Sequence, residues 1–316
     1  MILHTKIQDT FIKKVRQSGI DEALEWLGNC KNTQNESWPA PVKLQWDTES
    51  GDAVLEISEY MDFHNAQICK TQGGSCEINN LKIGQKYYWR VNKGEVFCFE
   101  TADTFPRFIR IDGITNVRDL GGLRIKQGLV YRGSALNEDP GSDDGHAITS
   151  EGRYTFCEEL GIKTDLDLRL EYLEKRKESP AGAGVQFIQI PYRPYKEIFE
   201  PQYKDAVCKI MNVFANEANY PIYFHCAGGA DRTGMIAMYL RAIAGEADAD
   251  IHLDYELTSL AGAKRCRTAG YYTEMLTMLE AYAPGETFSE QLIRFLDSCG
   301  VTEDCRQKIK TILVGA

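Results

Sequence analysis

The sequence predicts an α/β domain, a central and mainly parallel sheet flanked by helices, preceded by a small all-β sandwich and an N-terminal helix. Three observations carry this. Apolar residues in the first thirty positions recur near a 3.6-residue period. From position 41 to 103 they alternate with polar ones at period 2. Beyond 105, short apolar runs alternate with helical stretches. The expected boundaries are 1–36 for the helical segment and linker, 37–104 for the β domain and 105–316 for the α/β domain.

The N-terminal stripe runs through Phe11, Ile12, Val15, Ile20, Ala23, Leu24 and Leu27, with a break expected at Ser18-Gly19 and a stop at Gly28-Asn29. Residues 31–40 read as a linker. In the β segment Val42, Leu44 and Trp46 alternate with polar residues; so do Leu55 and Ile57, then Tyr87, Trp89 and Val91, then Phe97 and Phe99. Turn clusters at Glu49-Ser50-Gly51-Asp52 and Gln72-Gly73-Gly74 separate these runs. Trp46, and residues 81–91 with Tyr87 in a corner position, make the segment resemble a fibronectin type III domain. The resemblance spans about sixty residues against the ~100 of a full sandwich, so a strand is expected to be short or missing. Nothing in it looks catalytic. It reads as a packing or spacer module whose protein partner is unknown.

The chain has 316 residues, 43% hydrophobic and 26% charged, a composition ordinary for a globular protein of two domains. No apolar run approaches the ~20 residues a membrane helix needs. Residues 1–12 mix Lys6, Gln8, Asp9 and Thr10 among apolar ones, unlike a secretory signal. A cytoplasmic location is expected, with an exported parent trimmed of its signal left open. The net charge of −10 argues against general binding of nucleic acid or anionic membrane, not against a small anion held in a local positive site. The ten cysteines include no CxxC pair and no Cys/His cluster spaced for zinc, so no metal is expected. They read as mostly reduced, buried thiols.

In the α/β part, 162–168, 185–190 and 221–225 read as strands, and 203–216, 233–244, 288–299 and 303–313 as helices. Between the third strand and the helix after it lies His225-Cys226-Ala227-Gly228-Gly229-Ala230-Asp231-Arg232-Thr233-Gly234. A strand running into a loop and a helix running out of it gather backbone N–H groups and a helix N-terminus around one point, which suits a phosphate dianion. Gly228, Gly229 and Gly234 are expected to let the backbone curl onto the ligand. The same field favours the thiolate of Cys226, a nucleophile able to form a phosphocysteine. Arg232 offers a planar fork for two phosphate oxygens. Thr233 is expected to give its hydroxyl to the sulfur, and His225 to orient the loop. The alternative, a structural cysteine beside a surface arginine, leaves the flanking strand and helix unexplained.

This string resembles the signature of protein tyrosine phosphatases, and its Asp-Arg-Thr-Gly ending resembles atypical bacterial tyrosine and dual-specificity or lipid phosphatases. Thr115-Asn116-Val117-Arg118-Asp119-Leu120-Gly121-Gly122, the segment Val130-Tyr131-Arg132-Gly133-Ser134, Asp167-Leu168-Arg169 and Asp254-Tyr255-Glu256-Leu257-Thr258 resemble further segments of that family. The resemblance covers nearly all of 105–316. It implies an α/β phosphatase domain, catalytic Cys226 and Arg232, a phosphate cradle of Ala227, Gly228, Gly229, Ala230, Thr233 and Gly234, and no cofactor. Lipid-active members carry lysines where Ala227 and Ala230 stand here, so a phosphotyrosine protein or small phosphorylated substrate is expected rather than a polyanionic lipid.

The leaving group needs an acid. The region from Pro191 to Glu197, where many tyrosine phosphatases place an Asp, has none. The resemblance points to Asp231, whose other role would be to cap the following helix. Asp167 and Glu197 are the reserves. Asp167 and Arg169 otherwise support the site, and Arg118, Asp119 and Arg132 are scaffold. Two alternatives stay open: a phosphoinositide or inositol-phosphate phosphatase, and a phosphate-binding module without turnover, which would have no need of Cys226. Every candidate lies after Asn116, so residues 1–104 are expected to do no chemistry, and a folded fragment from Phe105 to keep activity.

Overall fold

The computed structural model describes residues 1–30, 36–47, 51–137, 146–170 and 176–315. Helices α1 (Lys6–Ser18) and α2 (Ile20–Asn29) open the chain. Thr5 and Gln8 form a reciprocal capping box at the start of α1, and the two helices part at Gly19, whose φ is 90°. The faces predicted apolar are buried, with Phe11, Ile12, Val15, Ile20, Ala23 and Leu27 packing on Phe108, Leu253, Leu257 and Leu260. A helix pair with one apolar stripe has to bury it somewhere, and here it lies against the C-terminal half of the chain.

Among the described residues six strands follow: β1 (Val42–Gln45), β2 (Asp52–Ser58), β3 (Gln67–Gln72), β4 (Ser75–Ile78), β5 (Lys86–Val91) and β6 (Phe97–Glu100). They form a four-stranded antiparallel sheet, β3-β2-β5-β6, and a two-stranded one, β1-β4. Val42, Leu44, Leu55, Ile57, Ile78 and Tyr87 fill the space between, the inward half of each alternating pattern. The expectation of mostly reduced, buried thiols holds for eight free cysteines of the ten but is corrected on burial, since only three of the eight are buried, and on one pair. Cys69 and Cys76 form a disulfide. They stand on β3 and β4, which belong to different sheets, so the chain's passage between sheets sets the two side chains facing each other. Of the other cysteines Cys226, Cys299 and Cys305 are buried, while Cys98 is exposed.

The remaining strands are β7 (Arg107–Phe108), β8 (Arg118–Asp119), β9 (Val130–Gly133), β10 (Thr164–Asp167), β11 (Gln186–Gln189) and β12 (Ile222–His225). They make one mixed sheet in the order β11-β10-β12-β9-β8-β7, parallel from β11 to β9 and antiparallel at β8 and β7. The helices are α3 (Ser150–Tyr154), α4 (Pro201–Phe214), α5 (Asp231–Ala244), α6 (Asp248–Glu256), α7 (Gly270–Glu280), α8 (Phe288–Ser298) and α9 (Glu303–Val314). The largest core joins α4, α5, α8 and α9 to β10 and β12, around Phe214, Phe224, Met235, Tyr239, Phe295 and Ile309. α5 is buried on nearly all sides, as a central helix must be when its sequence is apolar all round. Among the described residues no helix is long and apolar enough to cross a membrane.

Candidate active site

β12 is flanked by β10 and β9, so its C-terminal end opens at the middle of the sheet. The chain leaves His225, turns through Cys226 and enters α5 at Asp231. Cys226 is 3% exposed. The loop's shape is set from outside. The carbonyl of Ala227 accepts from Ala135 N at 2.8 Å. Those of Gly228 and Gly229 accept from Asn116 Nδ2 at 3.0 and 3.1 Å. Arg132 Nη2 reaches Gly229 O at 2.7 Å and Ala230 O at 3.5 Å. These bonds occupy the loop's carbonyls, not its N–H groups, just before the N-terminus of α5. That is an anion cradle.

The glycines serve this shape in different ways. Gly229 has φ 66°, the tight curl expected, and a Cβ there would stand 2.3 Å from the Gly133 carbonyl of β9. Gly234 lies under the Tyr255 ring, which a Cβ would meet at 2.8 Å. Both positions are closed by protein packing, whereas a Cβ at Gly228 would meet nothing within 4 Å.

His225 is fully buried; one ring nitrogen lies 2.9 Å from Asp165 Oδ1 and the other 3.1 Å from Cys226 O. Asp167 is gripped by the Arg169 fork at 2.9 and 2.7 Å. Burial opposes its charge, but His225 and Arg169 outweigh that and hold the carboxyl below its usual range. Arg169 also bonds Asn137 Oδ1 at 2.9 Å. Thr233 Oγ1 is buried with no hydrogen-bond partner among the described residues, so the expected bond to the sulfur is not formed.

Behind the loop sits a buried charge cluster. Asp254 accepts from Arg118 Nε at 2.8 Å, Arg132 Nη1 at 2.5 Å and Arg241 Nη2 at 3.4 Å. Burial works against the Asp254 charge, yet these guanidiniums hold its carboxyl far below the usual range. Asp119, on the same sheet, takes Arg107 Nη1 at 2.8 Å and the N–H groups of Gly121 and Gly128.

Asp231 does not cap α5. The helix begins at Asp231 itself, after Ala230, with no side-chain cap. Its carboxylate instead accepts from Arg265 Nε at 2.6 Å and Nη2 at 2.8 Å, and from the Tyr195 hydroxyl. A cavity of about 540 Å³ opens here, lined by Tyr195, Glu197, Asp231, Arg232, Arg265 and Tyr271 among others. Arg265, Tyr195 and Tyr271 were not found in the sequence, because they come from separate elements with no local motif.

None of the cavity's described lining comes from residues 1–104. Those residues still reach the site's support: Ser37 Oγ accepts from Asn116 N at 3.0 Å, and α1 and α2 cover Leu253, Leu257 and Leu260. A fragment from Phe105 would expose these leucines, each worth about 1.5–3 kcal/mol when buried. It is expected to melt well below the full chain and to lose aryl-phosphatase activity with its fold. Equal melting temperatures by circular dichroism would show the N-terminal helices to be dispensable.

A buried thiol at the mouth of a strand–loop–helix anion cradle, with an arginine at the start of the helix, defines a cysteine-based phosphatase. A family model described as the tyrosine phosphatase family matches residues 109–313. The chain belongs to that family. A protein of Cupriavidus necator named as a tyrosine-protein phosphatase is 25% identical over 191 residues, covering 51% of this chain and 66% of that one. The chain therefore spans just under two thirds of that relative's length. Two solved structures are similar to it. The catalytic core of the PP-IP phosphatase Siw14 of S. cerevisiae has 19% identity and a TM-score of 0.31, covering 50% of this chain and 91% of that one. TpbA of P. aeruginosa has 16% identity and a TM-score of 0.31, covering 56% and 91%.

Proposed function

We propose that this enzyme hydrolyses aryl phosphate monoesters, phosphotyrosine above all, through a phosphocysteine on Cys226. The observation that carries the reading is the strand–loop–helix turn whose carbonyls are taken by Ala135, Asn116 and Arg132 beside the buried Cys226, which leaves the loop's N–H groups to receive a phosphate in this reading. Phosphate sits on those N–H groups, with Arg232 forking two of its oxygens. The Cys226 thiolate attacks phosphorus; an S–P bond forms as the P–O bond to the leaving group breaks. Asp231 gives that oxygen a proton, then takes one from the water that cleaves the S–P bond. Thr233, whose hydroxyl is uncommitted, stabilises the departing thiolate in this reading. His225, Asp165, Asp167 and Arg169 hold the loop. The Tyr195 and Tyr271 rings, 4.6 Å apart, give the cavity an aromatic wall for a phenyl group.

A second reading, an inositol polyphosphate or phosphoinositide, is favoured by Arg193, Lys196 and Arg265 on the same cavity. On the same walls these cations stand beside the carboxylates of Glu197, Asp231 and Glu274. Initial rates on a phosphotyrosine peptide, a phosphoserine peptide, a phosphoinositide and an inositol polyphosphate separate the two; a faster rate on either inositol substrate overturns the first reading.

Residues 37–104 act in this reading as a fibronectin type III-like spacer. Support comes from Tyr87, whose hydroxyl accepts from Lys82 N at 2.8 Å, the bond of a tyrosine corner. The Cys69–Cys76 disulfide favours an oxidising compartment over the cytoplasm.

The acid has its own test. Asp231→Asn is expected to slow phosphotyrosine by about 10²–10⁴-fold and an activated aryl phosphate much less, because a good leaving group departs without a proton. Equal slowing of both assigns Asp231 to loop structure. Asp167, already locked to Arg169, is the weaker reserve, and Glu197→Gln run in parallel tests the stronger one.

A further inference from the structure

Asp231 is held by residues that no motif announces. Arg265 stands on the loop between Leu257–Ala261 and α7, its backbone fixed by Ser259, whose Oγ bonds both Arg265 N at 3.1 Å and Arg265 O at 3.0 Å. From there its guanidinium spans to both oxygens of Asp231. Tyr195 completes the grip from the other side. It adopts φ 60°, uncommon for a non-glycine residue. Its ring packs on Tyr271, and its hydroxyl meets Asp231 and, at 2.6 Å, the Tyr255 hydroxyl. Both oxygens of Asp231 accept from the guanidinium and one also from Tyr195, so its carboxylate is turned to protein partners rather than to a leaving group. Arg265 is about a quarter exposed and opens onto the cavity that Arg232 also lines. A guanidinium so placed can exchange one carboxylate for another anion.

Resting on the reading of Asp231 as the acid, we propose that Arg265 is a clamp on that acid. It is released when a second anionic group on the substrate, outside the phosphate loop, draws the guanidinium away. The second anion, a carboxylate or a further phosphate, then selects the substrate and frees the acid in one movement. Tyr195 keeps Asp231 in place once Arg265 has left, with Tyr255 bonded behind it. The other charges near Asp231 are Arg232 on its own helix and, from the facing elements, Arg193, Lys196, Glu197 and Glu274. Arg265 is thus a positioning residue, and the preference it creates is for substrates with two anions.

The test uses the full chain and two phenyl phosphates of similar leaving-group basicity, one with a ring carboxylate and one with a carboxamide. Wild type is expected to turn over the carboxylate substrate with at least about tenfold higher kcat. Arg265→Gln should raise kcat on the carboxamide substrate and erase the preference. Its KM for the carboxylate substrate should rise while that for the carboxamide substrate stays unchanged. Arg265→Lys, which keeps a cation, should retain the preference and guards against a folding defect. Equal losses on both substrates, in kcat and in KM alike, would make Arg265 merely structural and overturn the proposal. Asp231→Asn is run alongside on phosphotyrosine and an activated aryl phosphate. If its loss ignores the leaving group, the acid assignment fails and the clamp with it. If its loss follows the leaving group while Arg265→Gln leaves the preference intact, the clamp alone fails.

Discussion

Cys226→Ser is expected to cut turnover by on the order of 10⁴–10⁶-fold while leaving phosphate binding in place. The loop's outward bonds run from Ala135, Asn116 and Arg132 to carbonyls of residues 227–230. None involves the Cys226 side chain, so the cradle survives the exchange. A hydroxyl at its ordinary pKa is a far poorer nucleophile than a thiolate in such a field. Equilibrium binding of inorganic phosphate or vanadate should stay within a few-fold of wild type. A variant that keeps most of its rate would remove the covalent mechanism. One that loses phosphate binding together with turnover would give Cys226 a structural part.

The second large effect is on stability. Asp254→Ala is expected to destabilise the fold by about 3–5 kcal/mol, because removing one partner of a buried ion cluster leaves uncompensated charge. Arg118, Arg132 and Arg241 are all at most 1% exposed, and Glu246 compensates only Arg241. Urea unfolding at neutral pH measures the loss. The pH sign follows from the depressed Asp254 carboxyl. Its contribution is fully present above the unfolded aspartate value of ~3.9 and is lost only as pH falls toward the much lower folded value. Wild type and Asp254→Ala should therefore differ as much at pH 5 as at pH 7. Because Arg132 also holds the Gly229 carbonyl, kcat/KM should fall even where the variant is still folded. A midpoint unchanged in urea would show that water, not Asp254, satisfies these arginines.

What the sequence disclosed follows from how local each signal is. Cys226 and Arg232 stand in one strand–loop–helix unit, so spacing and hydrophobic pattern reveal both. Tyr87 and the period-2 strands around it were visible for the same reason. Asp165 was within reach: it alternates with Asp167 on β10, so both face His225, yet only the second falls in a recognised motif. Arg265 and Tyr195 were out of reach. They meet Asp231 only because the loop before α7 and the turn after Pro194 fold over the start of α5, a contact with no local periodicity. The Cys69–Cys76 bridge is hidden likewise, since it depends on which sheet each strand joins. The role of Gly234 needed the Tyr255 ring above it.

The central claim, a covalent phosphocysteine on Cys226, is tested most directly by acid-quenching the enzyme during turnover of an activated aryl phosphate and mapping the phosphorylated peptide by mass spectrometry. Asp231→Asn makes the measurement sharper, because loss of the base slows breakdown of the intermediate more than its formation from a good leaving group. The account predicts phosphate on the peptide containing Cys226, more of it in Asp231→Asn and none in Cys226→Ser. Phosphate on another residue, or turnover with no adduct in either active form, would contradict it.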